Sequence, residues 1–156
     1  SVLGGSMPSR LFQKIREESG LAYSIYSYPN SYTDCGLMTV YAAARPDSLE
    51  QVVDMTLKEV RALAQKGMTR AEFEMARQQL KAGYILGQES TSARMNAAGR
   101  RLLLLNRTRS EEEVIRAIDS LTFEGVNELA KELLSAEPSV ALVGKGAEKA
   151  LDDLNI

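Results

Sequence analysis

Helix-start signals recur through the middle of the chain, and they constrain its fold more than any other feature. Thr69-x-x-Glu72 and Ser110-x-x-Glu113 both have the capping-box pattern, in which a hydroxyl residue and a later glutamate satisfy the free N–H groups of a helix start. Thr122 is placed to cap a further helix. Because apolar residues follow each signal at helical spacing, the pattern predicts several amphipathic helices in succession.

Two more helices are indicated closer to the N-terminus. Asp47 and Glu50 have the spacing of a helix start, and Gly67 ends the regular apolar stripe that follows them. Gly20 likewise ends a short first helix. The predicted helices, with their caps, cover about residues 8–19, 47–67, 69–87, 92–106, 110–120 and 122–135.

Two segments without a helical stripe are typical of strands. Ala22 to Tyr28 is rich in tyrosine and serine, and Gly36 to Ala44 is apolar with valine and tyrosine. Pro29-Asn30-Ser31 interrupts them, which predicts a β-hairpin. Near the other end, Ser139 to Val143 predicts a returning strand, and the tail from Gly146 a last short helix.

These elements predict an α+β fold, because strands and helices do not alternate strictly. We expect two layers, a mixed and mostly antiparallel sheet with helices packed on one face. Residues 1–156 are predicted to form a single domain. Three strands are few for this much helix, so we expect an N-terminally truncated chain with more sheet upstream of Ser1.

The composition disfavours several classes of partner. Nineteen basic and 21 acidic residues give a formal charge of −2, so nothing attracts nucleic acid or an anionic membrane over long range. No apolar run approaches the roughly 18 residues that span a bilayer. A single cysteine, Cys35, suits a reducing compartment, and we expect a cytoplasmic protein.

The chain contains no histidine, which removes the usual general base and the commonest metal ligand. Cys35 alone completes neither a disulfide nor a cysteine-rich zinc cluster. The sequence therefore predicts no metal-binding residues and no histidine-based site in this chain.

Other local patterns favour ordinary surface roles. Val143-Gly144-Lys145-Gly146 follows a predicted strand, but it lacks the earlier glycine and the final hydroxyl residue of a phosphate-binding loop. The arginines around Gly99 are interrupted by leucines and followed by glutamates, as on a solvated helix surface. Glu17 and Glu18 point about 100° apart on a helix, so they do not form a carboxylate pair.

Arg16 and Tyr23 are the candidate site residues. Arg16 flanks the apolar face of the first helix, and Tyr23 begins the strand after the Gly20 turn, so the two can converge on one spot. On residue types alone, the alternative is that Arg16 pairs with a glutamate and Tyr23 is a half-buried strand tyrosine.

The segment from Gly4 to Ser24, which reads GGSMPSRLFQKIREESGLAYS, resembles the C-terminal half of the M16 zinc peptidases. The resemblance is to the insulinase-like and mitochondrial processing-peptidase group, of the bacterial processing-protease type. It continues through the tyrosine-rich hairpin, the Gly67-Met68-Thr69 turn and the segment from Val140 to Gly144, and so covers nearly the whole chain.

In that family, the catalytic N-terminal half carries an inverted H-x-x-E-H zinc motif, and a second half of similar fold closes over it. The resemblance implies that this chain is the second half, and that zinc is bound by the N-terminal half and not by this chain. The family's arginine and tyrosine, seven residues apart, match Arg16 and Tyr23. Their implied roles are substrate binding for both residues and oxyanion stabilisation, a catalytic role, for Tyr23.

The implied function is that of the substrate-binding half of a zinc-dependent endopeptidase that cleaves peptides or unfolded polypeptides in a closed chamber. Its implied partner is the zinc-binding half, in the same protein or in a partner subunit, and a dimer is expected on family likeness. The isolated chain is expected to be inactive. The alternative is a non-catalytic partner or core subunit of the same family, with a structural or peptide-holding role.

Overall fold

The structure is a computed structural model, and it describes residues 1–145 and 147–148. The first helix is a π-helix, Phe12–Glu18, and the strands are β1 (Ala22–Ser31) and β2 (Gly36–Ala44). A 3₁₀ turn, Pro46–Ser48, precedes the five α-helices that the described part of the chain contains as complete elements. These are α1 (Leu49–Lys66), α2 (Arg70–Gly87), α3 (Thr91–Leu105), α4 (Glu111–Asp119) and α5 (Phe123–Leu134).

The predicted hairpin is confirmed. The strands pair antiparallel from Ser31 opposite Gly36, beside the turn, to Ala22 opposite Ala44 at the far end. Period-two alternation divides β1 into two faces from Ile25 onward, with Ile25 and Ser27 buried and the tyrosines between and beyond them exposed. The hairpin therefore contributes one face to the core and presents the other outward.

The capping signals are also confirmed. The hydroxyls of Thr69 and Ser110 each accept a hydrogen bond from the backbone N–H of the glutamate three residues later. The side chains of these glutamates, Glu72 and Glu113, accept one in return from the backbone N–H of Thr69 and Ser110. The Thr122 hydroxyl accepts a hydrogen bond of 3.1 Å from the Gly125 N–H. Helix α3 begins at Thr91 and ends at Leu105, within one residue of the expected bounds.

Two local predictions need correction. Asp47 does not cap α1, because it lies inside the 3₁₀ turn and Ser48 takes the cap position without a side-chain hydrogen bond. The first helix is shorter than predicted, and it is π-helical from Phe12 to Glu18. Gly20 ends it as expected, with φ +61°, in the left-handed region that glycine adopts readily.

The predicted third strand is wrong. Residues 139–143 are irregular, and Val143 is 97% exposed. A strand needs a neighbour to share its ladder of hydrogen bonds, and within the described residues β1 and β2 pair only with each other. The α+β class holds with a two-stranded antiparallel sheet. The last helix predicted from Gly146 lies outside the described residues, except for the helical positions 147 and 148.

The core lies between the inner face of the hairpin, the π-helix and the helices that follow. Leu11 and Ile15, four residues apart on one helical face, are fully buried. They pack in the same cluster as Ile25. On the helical side, the rings of Phe73 and Phe123 meet edge to face, with 5.9 Å between their centroids, and this contact joins α2 to α5.

No helix within residues 1–145 and 147–148 is long and apolar enough to cross a membrane.

Candidate functional site

Arg16 lies on the π-helix immediately after the fully buried Ile15, so its side chain leaves the core at the helix edge. The guanidinium carbon stands 4.8 Å from the centroid of the Phe12 ring, a cation–π contact one helical turn away. Its Nε lies 4.0 Å from a carboxylate oxygen of Glu17, with both side chains about half exposed. Such a long, solvated pair holds the guanidinium weakly, which leaves its donors available.

Tyr23 is 71% exposed, so it is not the half-buried strand tyrosine that its position alone suggested. The register explains why. Ala22 pairs with Ala44 and Ser24 with Ala43, which leaves Tyr23 without a partner residue in a β-bulge. In a regular strand, Tyr23 would lie on the same inner face as the buried Ile25, two residues later. The bulge reverses the alternation of side chains at this point, so that Ala22 is buried and Tyr23 faces outward.

A tight turn fixes the backbone between the two candidate residues. The Arg16 carbonyl accepts a hydrogen bond of 3.2 Å from the Gly20 N–H, and the Ile15 carbonyl accepts one of 3.0 Å from the Leu21 N–H. The structure therefore brings Arg16 and Tyr23 to the same end of the hairpin through their main chains. Within the described residues, no hydrogen bond or ion pair joins their side chains directly.

An ion pair that the sequence analysis missed holds the start of this segment. Arg10 donates from Nε to Oε1 of Glu72 at 2.6 Å and from Nη2 to Oε2 at 2.8 Å, and Nη2 also donates to the Gly67 carbonyl at 3.1 Å. Hydrogen bonds from Arg10 lower the pKa of Glu72 to about 2 against the opposing effect of burial, and Thr69 contributes further. The same hydrogen bonds raise the pKa of Arg10. From the sequence alone, Glu72 is recognisable only as the capping glutamate of α2.

A second ion pair fixes the π-helix against α1. Lys14 Nζ lies 2.5 Å from Oε1 of Glu59, whose side chain is largely buried. The other carboxylate oxygen of Glu59 is buried without a hydrogen-bond partner in the described part of the chain. The segment carrying Arg16 is thus held by two ion pairs, from Arg10 to α2 and from Lys14 to α1.

The first glycine of the Gly4-Gly5 pair allows the N-terminal segment to lie against β1. The Ser27 N–H donates to the Gly4 carbonyl at 2.8 Å. A Cβ on Gly4 would stand 2.7 Å from the Ser27 nitrogen, closer than real Cβ contacts permit. This approach covers the edge of β1 that faces away from β2.

The two candidate residues, Arg16 and Tyr23, are not of the types that bind zinc. Zinc in proteins is bound by imidazole, thiolate and carboxylate groups. The candidate site instead presents a guanidinium and a phenol, and no group of three or more potential ligands occurs within residues 1–145 and 147–148. The arrangement offers hydrogen-bond donors from Arg16 and Tyr23 on a fixed support, which suits the binding of oxygen atoms in a ligand.

Comparison with known proteins gives the family. Residues 1–80 match the family described as the peptidase M16 inactive domain. The chain is 38% identical over 143 residues to the uncharacterized zinc protease YmxG of Bacillus subtilis, an alignment that covers 92% of this chain and 35% of that protein. It is 40% identical over 149 residues to the uncharacterized zinc protease Rv2782c of Mycobacterium tuberculosis, covering 96% of this chain and 34% of that protein.

A solved structure agrees on the fold. The peptidase M16 inactive domain from Pseudomonas fluorescens superposes with a TM-score of 0.72 at 22% identity, covering 84% of this chain and 31% of that chain. The chain spans about a third of the length of the curated relatives it matches. From the match over its first 80 residues and the likeness to the zinc proteases along nearly its whole length, the chain belongs to the peptidase M16 inactive-domain family.

Proposed function

We propose that this chain is the substrate-binding C-terminal half of a zinc-dependent endopeptidase. Its relatives carry the name zinc protease and are about three times as long, so the activity would belong to a longer protein in which this chain is one part. The observation that carries the proposal is the β-bulge at Tyr23. It turns the phenol outward at the end of the hairpin where Arg16 also leaves the core.

Arg16 would hold the substrate main chain. A guanidinium has five N–H donors in a fixed plane and can bind more than one peptide carbonyl oxygen at once. Among the described residues, its ion-pair partner is the Glu17 carboxylate at 4.0 Å, a distance too long for a hydrogen bond, so this pair does not occupy the donors. The Phe12 ring beneath the guanidinium limits its rotation.

Tyr23 would act at the reacting carbonyl. When water adds to a peptide carbonyl, negative charge develops on the oxygen, and a positioned hydroxyl stabilises that charge by donating a hydrogen bond. Tyr23 is the exposed phenol nearest to Arg16 along the chain, and it lies on a strand end fixed by the Gly20 turn. Tyr23 is therefore the catalytic residue of the proposal, and Arg16 and Tyr23 together bind the substrate.

Zinc, in this proposal, is held by the N-terminal half of the same protein or of a partner subunit. When bound there, it would supply the activated water for hydrolysis. The ligand would be a peptide or an unfolded polypeptide in a chamber closed by the two halves, in a cytoplasmic protein. Closure would exclude water and align the substrate between the halves.

The test is to compare the full-length protein with residues 1–156 alone. We expect the full-length protein to bind zinc and to cleave an unfolded polypeptide such as reduced casein, and the shorter chain to bind no zinc and to cleave nothing. A full-length protein that binds no zinc and cleaves nothing would contradict the proposal, and it would favour the non-catalytic partner subunit.

A further inference from the structure

The outward face of the hairpin carries a cluster of tyrosines, which we call the tyrosine face: Tyr23, Tyr26, Tyr28 and Tyr41. Tyr26 and Tyr41 are paired directly across the two strands, with 5.1 Å between their ring centroids. Tyr28 adds a third ring 5.8 Å from that of Tyr26. These three side chains are 45%, 46% and 39% exposed in the order Tyr26, Tyr41, Tyr28. The cluster is thus an ordered aromatic surface open to solvent.

The β-bulge exposes a residue of the candidate site, Tyr23, on the strand that also carries Tyr26 and Tyr28. Without it, Tyr23 would point into the core, and the aromatic cluster would end at Tyr26. With it, exposed tyrosines occur along β1 from the middle of the hairpin to the end that follows the turn after Arg16.

These tyrosines contribute little to the core of this chain. The inner face of β1 packs through Ala22, Ile25 and Ser27, which are all buried. Buried phenols usually find a hydrogen-bond partner. Within the described residues, no hydroxyl of the tyrosine face makes a hydrogen bond, as expected for side chains that face solvent. Single exposed aromatic residues are common, whereas a contiguous exposed cluster marks a binding surface.

The charges around the tyrosine face indicate which ligand it fits. Between residues 22 and 44 the only charged side chain is Asp34, at the hairpin turn. Around Tyr26, Tyr28 and Tyr41 the hairpin itself is uncharged and aromatic, so it complements uncharged aromatic or aliphatic side chains. Side chains on one face of a strand repeat every ~7 Å, which is also the repeat of alternate side chains in an extended peptide. An extended peptide that runs along β1 can therefore place alternate side chains at Tyr26, which is paired with Tyr41, and at Tyr28.

We propose that the tyrosine face binds an extended polypeptide substrate and selects segments with aromatic or large aliphatic side chains at alternate positions. It does so beyond the peptide bond held at Arg16 and Tyr23, and in that respect the inference rests on the proposed function. The preference is set by Tyr26 and Tyr41, the directly paired rings, and it acts on substrate affinity and not on the rate of bond cleavage.

The experiment measures binding without catalysis. The full-length protein is stripped of metal with a chelator, and two short fluorescein-labelled peptides are titrated by fluorescence anisotropy. One has phenylalanine at two alternate positions of a serine and alanine sequence, and the other has serine there. We expect the phenylalanine peptide to bind about three- to tenfold more tightly, and this preference to vanish in Tyr26→Thr/Tyr41→Thr. Threonine keeps the β-propensity of the strands.

Tyr32→Thr is the matched control, because Tyr32 is also exposed but lies beyond the paired strands of the hairpin. It should keep the preference, as should Tyr26→Phe/Tyr41→Phe, which retains the rings. A folded Tyr26→Thr/Tyr41→Thr protein that still prefers phenylalanine overturns the inference. If that variant instead melts at a markedly lower temperature, the face packs against another part of the protein, and the inference is likewise overturned. Because no cleavage is needed, an inactive enzyme leaves this test intact.

Discussion

Arg10 and Glu72, 62 residues apart, form a two-point ion pair with distances of 2.6 and 2.8 Å, and Glu72 also completes the capping box of α2. The pair joins the start of the helix that carries Arg16 to the first turn of α2. Both side chains are mostly shielded from solvent. Planar, two-point pairing of arginine with a carboxylate is the strong form of such contacts.

Replacing Glu72 with glutamine should therefore destabilise the fold. The variant leaves the Arg10 guanidinium partly buried without its anion, and we expect the free energy of unfolding to fall by about 2 kcal/mol. Urea denaturation measures the change. Glu124→Gln is the control, because its pair with Arg70 is long, at 3.3 Å, and exposed, so it should change stability by less than about 0.5 kcal/mol. Equal effects of the two substitutions would contradict the role given to Arg10 and Glu72.

The same pair predicts a pH dependence. The pKa of Glu72 falls from 4.5 to about 2 on folding, so above pH 4.5 the carboxylate is charged in both states and its stabilisation is complete. Below that value the unfolded chain takes up the proton first, and the stabilisation is lost as the pH falls toward about 2. Urea midpoints measured across this range should fall more steeply for the wild type than for Glu72→Gln. Parallel curves would show that Glu72 does not titrate in this way.

Two glycines should respond to alanine in opposite directions. Gly67 has φ +72°, and an added Cβ would stand 2.6 Å from Oδ1 of Asn127, the atom that accepts a hydrogen bond from the Met68 N–H. We expect Gly67→Ala to lower the free energy of unfolding by about 1–3 kcal/mol. Gly83 lies inside α2 with open space around it, so Gly83→Ala should raise it by about 0.5–1 kcal/mol. Thermal or urea unfolding distinguishes the two, and stabilisation by Gly67→Ala would contradict the geometry of that turn.

Arg16→Lys in the full-length enzyme tests the substrate-binding role. Lysine keeps the charge but loses the planar set of donors that can hold two carbonyl oxygens. We expect kcat/KM for a peptide substrate to fall about tenfold or more, mainly through a higher KM. Lys14→Arg, on the same helix but engaged with Glu59, is the control and should leave KM unchanged. An unaltered KM in Arg16→Lys would show that the guanidinium does not hold the substrate.

Local signals predicted much of this fold. The hairpin and the caps at Thr69, Ser110 and Thr122 depend on interactions within a few residues, and they appear where the sequence indicated. The strand predicted from Ser139 to Val143 failed, because a strand depends on a hydrogen-bonded neighbour that a single segment cannot specify.

The candidate site was likewise predictable only where it depends on residues close together in the sequence. Arg16 and Tyr23 became candidates through the family resemblance, because their positions around the Gly20 turn alone left ordinary surface roles open, and their roles stay predictions. The bulge that exposes Tyr23 was not predicted, because it results from the register between two strands and leaves no residue signature in AYSIYSY. The pairing of Arg10 with Glu72 was missed for a related reason, since it joins distant segments that meet only in the folded chain.

The most direct test of the central claim is Tyr23→Phe in the full-length enzyme, with Tyr32→Phe as the control. Phenylalanine keeps the ring and removes only the hydroxyl proposed to stabilise the oxyanion. With fold and zinc content intact, kcat for peptide cleavage should fall by about 10²–10³, while Tyr32→Phe stays at the wild-type rate. An unchanged kcat in Tyr23→Phe would contradict the claim that this chain contributes a transition-state donor.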